Sequence, residues 1–116
     1  MTETPPSFDE QLAALKAAYA QKLPARVEKI ETALQGVLTA KTQDDIIAAC
    51  EMLMKQAHKL KGSSALYDLP KVSETSGAIE RLCLSCLKDE IVPTEVERAE
   101  LSKLFQHLVR VASSKN

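Results

Sequence analysis

The sequence predicts an all-α protein: an antiparallel up-down four-helix bundle with an additional amino-terminal helix. Three observations carry this prediction. Apolar residues recur at three- and four-residue spacing along most of the chain, the period of one helix face. No useful length alternates with the period of two that marks a half-buried strand. Only three glycines and five prolines fall among 116 residues, so the periodic stretches are seldom interrupted. The loops between these stretches are short, which favours antiparallel neighbours.

Residues 1–6 read as a disordered tail and residues 7–113 as one helical domain, with 114–116 a second short tail. Ser7 and Glu10 have the S-x-x-E spacing of a capping box, so a helix starts near Phe8. Leu12, Leu15, Tyr19 and Leu23 continue it as a stripe. Pro24 is unwelcome inside a helix and welcome in a first turn, so the pattern predicts a break or kink there and a second helix beginning with it. Its stripe is Val27, Ile30, Leu34 and Val37 or Leu38, and it fades by Thr42. Thr42 or Asp44 caps the third helix, whose core positions are Ile46, Cys50, Leu53, Ala57, Leu60 and Ser64. Tyr67-Asp68-Leu69-Pro70 is a turn, and Pro70 opens a fourth helix with Val72, Ser76, Ile79, Leu82, Cys83, Cys86 and Leu87 on one face. Lys88 to Pro93 reads as a loop. Thr94 and Glu97 form a second capping box before the stripe Leu101, Leu104, Phe105, Leu108 and Val111.

Composition narrows the function. A hydrophobic content of 45% and a charged content of 27% are those of an ordinary soluble globular domain. The net charge of −1, with both signs interspersed, leaves no basic footprint for nucleic acid. No apolar run approaches the ~18 residues that cross a membrane, and the first residues lack a signal-peptide pattern. The expectation is a cytoplasmic monomer, either free-standing, towards which Met1 and the tail lean, or a domain cut from a larger kinase. Gly36, Gly62 and Gly77 stand alone, so there is no glycine-rich nucleotide loop.

The stretch Ala57-His58-Lys59-Leu60-Lys61-Gly62-Ser63-Ser64 departs from ordinary core design. A glycine inside a helix costs about 1 kcal/mol relative to alanine, and Gly62 lies one turn beyond His58. At about 100° per residue, His58 falls roughly 120° from the middle of the core stripe, so it should be exposed or half-exposed. Neutral imidazole is a competent nucleophile near pH 7. Phosphoryl transfer needs in-line positioning and neutralisation of charge on the equatorial oxygens. Lys61 is placed to supply that charge, and Gly62 clears an approach beside the imidazole. For each the plain alternative is a solvated surface residue; His58, Lys61 and Gly62 together, at these offsets on one face, point away from it.

In Ala57-His58, Leu60-Lys61-Gly62 and Ser63-Ser64 the chain resembles the histidine-containing phosphotransfer (HPt) domain family of two-component phosphorelays. Helix order and length extend the resemblance over nearly the whole chain. It implies that His58 is the phosphoacceptor, Lys61 stabilises the phosphoryl group and Gly62 gives access. It further implies response-regulator receiver domains and a hybrid sensor histidine kinase as partners. The acidic pocket and Mg²⁺ would sit on the receiver, so this chain would bind no cofactor or metal and have no kinase activity of its own. Many relatives carry a glycine shortly after this segment, where this chain has Tyr67-Asp68.

Two other readings compete. A helical bundle that docks receivers without transferring phosphate is the main one. The other is a metal- or redox-responsive sensor built on Cys50, Cys83 and Cys86, of which the last two form a C-x-x-C pair. A redox pair of that kind wants a βαβ context and a structural zinc wants four ligands. Neither is present in the pattern, and the cysteines read as core packing. His107 lacks a matching lysine or glycine and reads as a structural or surface residue.

Overall fold

The structure, a computed structural model, describes residues 7–88 and 93–113. They form four helices: α1 (Phe8–Thr39), α2 (Gln43–Leu66), α3 (Pro70–Lys88) and α4 (Glu95–Ser113). No strand occurs among the described residues. The predicted tails and most of the Lys88–Pro93 loop lie outside them; Lys88 itself ends α3.

Each helix packs on its neighbours in the chain, and α4 closes the ring against α1. The contacts run antiparallel. Tyr19 of α1 meets Ser63 of α2, while Gly36 further along α1 lies against Ala49, nearer the start of α2. Cys86 near the end of α3 meets Glu97 near the start of α4, and Val72 lines the same small depression as Val111. The core contains Ile30, Leu34 and Val37 from α1, Leu53 and Leu60 from α2, Val72 and Ile79 from α3, and Leu101 and Leu108 from α4. All six positions expected to face the core from α2 are buried.

The additional amino-terminal helix is not formed as a separate element. One helix runs from Phe8 to Thr39 with Pro24 inside it. Proline lacks an N–H and leaves the carbonyl four residues back, that of Ala20, without its intrahelical partner. Ala20 and Pro24 are both exposed, so water can take that carbonyl. On the opposite side Tyr19, Leu23, Ile30, Leu34 and Val37 are all buried, one stripe that passes Pro24 unbroken. Continuous burial of that face outweighs one lost hydrogen bond. The first turns take less part in the core: Leu12 is half-buried, while Phe8 and Leu15 are exposed.

The helix ends follow local chemistry. Ser7 Oγ accepts from the Glu10 N–H at 3.1 Å, and Thr42, not Asp44, caps α2 by accepting from the Asp45 N–H at 3.1 Å. The Thr94 capping box is reciprocal: Glu97 N–H donates to Thr94 Oγ1 at 3.1 Å and Thr94 N–H to Glu97 Oε1 at 2.9 Å. At the end of α2, Asp68 takes φ 63°, the left-handed position usually held by glycine. Its N–H reaches the Ala65 carbonyl and that of Leu69 the Ser64 carbonyl, a Schellman closure. Aspartate tolerates that conformation better than most residues, so the missing glycine does not displace the turn.

Pro24→Ala tests the continuity of α1. A helix-interior proline costs about 3 kcal/mol relative to alanine, offset in part because proline also restricts the unfolded chain by up to about 1 kcal/mol. The expected result is a higher urea midpoint with unchanged helical circular dichroism. A lower midpoint would show that Pro24 fits its position without strain.

Candidate functional site

His58 lies in the middle of α2 with its side chain 66% exposed. Its position follows from helix geometry. Ala57 and Leu60 are buried and fix the core side of α2, and His58 is set off that side. Lys61 follows one turn later and is half-buried.

Across from them, α3 contributes a group that the apolar pattern does not mark. Glu80 is buried, with a side-chain exposure of 11%, and it joins both residues. His58 Nδ1 lies 2.5 Å from Glu80 Oε2, and Lys61 Nζ donates to Glu80 Oε1 at 2.6 Å. One carboxylate therefore uses one oxygen for the imidazole and the other for the ammonium. The Lys61 hydrogen bond is the strongest influence on Glu80 and holds its carboxyl below the usual value of 4.5. Burial acts against it, and the His58 hydrogen bond and the charge of both partners reinforce it. An ionised carboxylate only accepts hydrogen bonds, so Nδ1 of His58 must carry the proton in that contact. In the neutral ring the lone pair is then on Nε2, the nitrogen not engaged by Glu80.

The α2–α3 seam around this triad is registered residue by residue. Ser73 Oγ donates to the Lys61 carbonyl at 2.9 Å. Met54, Lys55, Lys59 and Leu84 line, with His58 and Glu80, a shallow depression of about 320 Å³. Lys55 and Lys59 are exposed, so the histidine stands between an apolar floor and cationic flanks. A larger groove of about 670 Å³ between α1 and α2 is lined by Ala25, Ala33, Gly36, Ala49 and Met52, with Glu28, Lys29 and Thr32 among its other residues, and lies apart from the His58 depression.

Gly62 is exposed, and a Cβ placed on it would meet nothing within 4 Å. The fold does not require this glycine. Ser63 bonds back to the Lys59 carbonyl at 2.9 Å and meets the Tyr19 hydroxyl at 2.7 Å, while buried Ser64 lies 3.2 Å from the same hydroxyl. These serines tie α2 to α1 and stand apart from the imidazole. His107 is exposed, with its Nδ1 3.4 Å from Arg110 Nη2.

Cys50, Cys83 and Cys86 are all buried. Burial is the main cause that pushes the Cys83 thiol up to about 12, with Cys50, Cys86 and Glu80 adding to it. Burial likewise raises Cys50. Reactive and metal-binding cysteine is thiolate, and burial at Cys50 and Cys83 favours the thiol. These two pack in the core, while Cys86 Sγ donates to Glu97 Oε2 at 3.2 Å.

The family model of the Hpt domain matches residues 10–111, nearly the full length of the four helices. The chain belongs to the Hpt domain family. Membership implies phosphotransfer in two-component relays, in which Hpt domains work with receiver domains and kinases. No match was found among curated proteins, and none among solved structures. No described helix of this Hpt domain is long and apolar enough to cross a membrane.

Sequence pattern placed His58, Lys61 and Gly62 on one side of α2; the structure joins His58 and Lys61 through Glu80, which the pattern missed, and leaves Gly62 exposed beside them. A signal for it exists. Ser73, Gly77, Glu80 and Leu84 are spaced i, i+4, i+7 and i+11, a second stripe beside the core stripe of α3. By residue type that stripe reads as a solvated face, and only the packing of α2 on α3 shows otherwise.

The lowered Glu80 value fixes a pH dependence. A carboxyl whose folded value is depressed contributes stability above its unfolded value, and that contribution is lost as pH falls through the folded value. Glu80→Gln should therefore lower the urea midpoint at pH 7, and the difference from the native chain should shrink once pH drops below about 4.5. Paired urea titrations at pH 7 and pH 3 measure it. A difference that does not change with pH would mean the Glu80 charge adds nothing to the fold.

Proposed function

We propose that this Hpt domain is a phosphorelay intermediate that accepts a phosphoryl group on His58 Nε2 from a receiver-domain aspartate and passes it to a second receiver. The observation that supports this most directly is the Glu80 contact to Nδ1, which leaves the other ring nitrogen with its lone pair on an exposed histidine.

The reaction balances within that arrangement. The Nε2 lone pair forms a bond to phosphorus as the bond from phosphorus to the aspartyl oxygen breaks, and the departing electron pair returns to the receiver carboxylate. The ring becomes a phosphorylated imidazolium whose Nδ1 proton faces the Glu80 carboxylate, so the new positive charge is compensated. In the reverse direction the same contact lets the ring leave as neutral imidazole. Lys61 balances the Glu80 charge, which would otherwise repel an approaching anion, and its ammonium provides a cation near the equatorial oxygens. Mg²⁺ and the acidic pocket belong to the receiver in this reading. Gly62 has no packing role in the chain itself, which fits a surface kept low for that partner. Met54 and Leu84 offer the receiver an apolar contact, and Lys55 and Lys59 complement its acidic surroundings.

The direct test mixes the protein with a phosphorylated receiver and follows an acid-labile, alkali-stable label. The label is expected on the native chain and absent from His58→Gln; label on that variant would overturn the assignment. Receiver binding without any label on the native chain would identify the docking module instead.

Two further variants separate roles. Lys61→Ala should slow transfer roughly tenfold or more, the scale of losing one charge-assisted contact of about 1.5–3 kcal/mol; an unchanged rate would remove Lys61 from the reaction. Gly62→Ala should raise stability by up to about 1 kcal/mol and yet slow transfer. Faster or equal transfer in that variant would show that Gly62 does not serve access.

A further inference from the structure

A second glycine lies beside the site, on the other helix. Gly77 is buried in α3, one turn before Glu80. A Cβ built on it would lie 3.2 Å from Lys61 Cδ, 3.8 Å from Lys61 Cγ and 3.4 Å from Arg81 Nη1. Its three nearest neighbours are thus all atoms of two basic side chains, and none is the backbone of a packed helix. The backbone does not ask for glycine either, because no glycine in the described residues has a positive φ. What its missing side chain leaves is a path for the Lys61 stem across α3 to the carboxylate one turn away.

We propose that Gly77 is a positioning residue: it forms the notch over which the Lys61 stem lies, so that the Lys61 ammonium reaches Glu80 Oε1 while Oε2 remains for His58. The inference rests on the functional reading above only for its consequence in phosphotransfer; the notch itself is a property of the fold. A contact of 3.2 Å is tighter than side chains accept without moving, so even a methyl group must displace the stem by a few tenths of an ångström. The hydrogen bond at its far end is short, at 2.6 Å, and a displaced stem lengthens and weakens it. Glycine is also the least favourable ordinary residue for a helix interior, so alanine here should favour α3 while disturbing the site. A purely structural glycine would show the opposite combination or none.

The experiment is carbon-13 NMR of the Glu80 side-chain carboxyl through a pH titration, on the full chain, for four proteins: native, Gly77→Ala, Lys61→Ala and the double variant. The expected result is a Glu80 titration midpoint in Gly77→Ala that moves up towards that of Lys61→Ala, with no loss of thermal stability. In the Lys61→Ala background, Gly77→Ala should move it no further, because the stem it obstructs is gone. A native-like midpoint in Gly77→Ala would overturn the proposal, as would an equal upward shift in the absence of Lys61. Gly77→Val supplies a larger obstruction and should complete any partial shift; if it leaves the midpoint at the native value, the notch is refuted. Transfer from a phosphorylated receiver gives the second readout, with Gly77→Ala slowed in the direction of Lys61→Ala. Should His58 prove not to be the acceptor, that readout fails while the carboxyl titration still decides the role of Gly77.

Discussion

The site is organised by a single carboxylate shared between two helices. Glu80 accepts from His58 with one oxygen and from Lys61 with the other, and the rest of the α2–α3 seam is in register with it. A carboxylate this buried costs several kcal/mol in lost solvation unless it is paired and hydrogen-bonded. Here both oxygens are engaged, one by a full cation. The pairing draws Lys61 inward and leaves His58, held through Nδ1, with its ring in solvent. A helix mount already fixes the histidine backbone; the carboxylate adds a fixed ring nitrogen.

The bundle supplies the rigidity this needs. Core residues on all four helices pack together beneath the seam, and α1 and α4 back α2 and α3 from the far side. Polar ties at the edges add registration where apolar packing alone would permit sliding. Ser73 holds the Lys61 carbonyl, and Tyr19 bridges Ser63 and Ser64 while stacking on Tyr67 at 4.6 Å between ring centroids. A one-turn slip of α3 along α2 would cost the Ser73 bond and both Glu80 bonds together. Such coupled polar contacts are stronger evidence of a unique register than any one of them.

Two glycines in this protein act in different ways. A Cβ on Gly62 would meet nothing within 4 Å, so packing within the chain does not call for glycine there. Gly77 faces the Lys61 stem and Arg81, so its consequence falls on the arrangement of charge within. Both are unfavourable for their helices, and neither is required by backbone conformation. The cost in helix propensity falls on α2 one turn after His58 and on α3 one turn before Glu80.

The helical period determined most of this protein from sequence. It located all six buried positions of α2, the exposure of His58 and the common side of His58, Lys61 and Gly62, because each depends on angles within one helix. The caps at Ser7 and Thr94 were legible for the same reason: they are chemistry between residues three apart, whereas the structure chose Thr42 over Asp44. The continuity of α1 was not legible, since a proline reads as a break until the buried face on both sides of it is known. Nor was Glu80, whose residue type and place beside the core stripe suggest a solvated face. Its partners are 22 and 19 residues away, and only the packing of α3 on α2 brings a buried carboxylate, a lysine and a histidine together. The sequence set the histidine on the surface; the tertiary structure decided which of its nitrogens Glu80 engages.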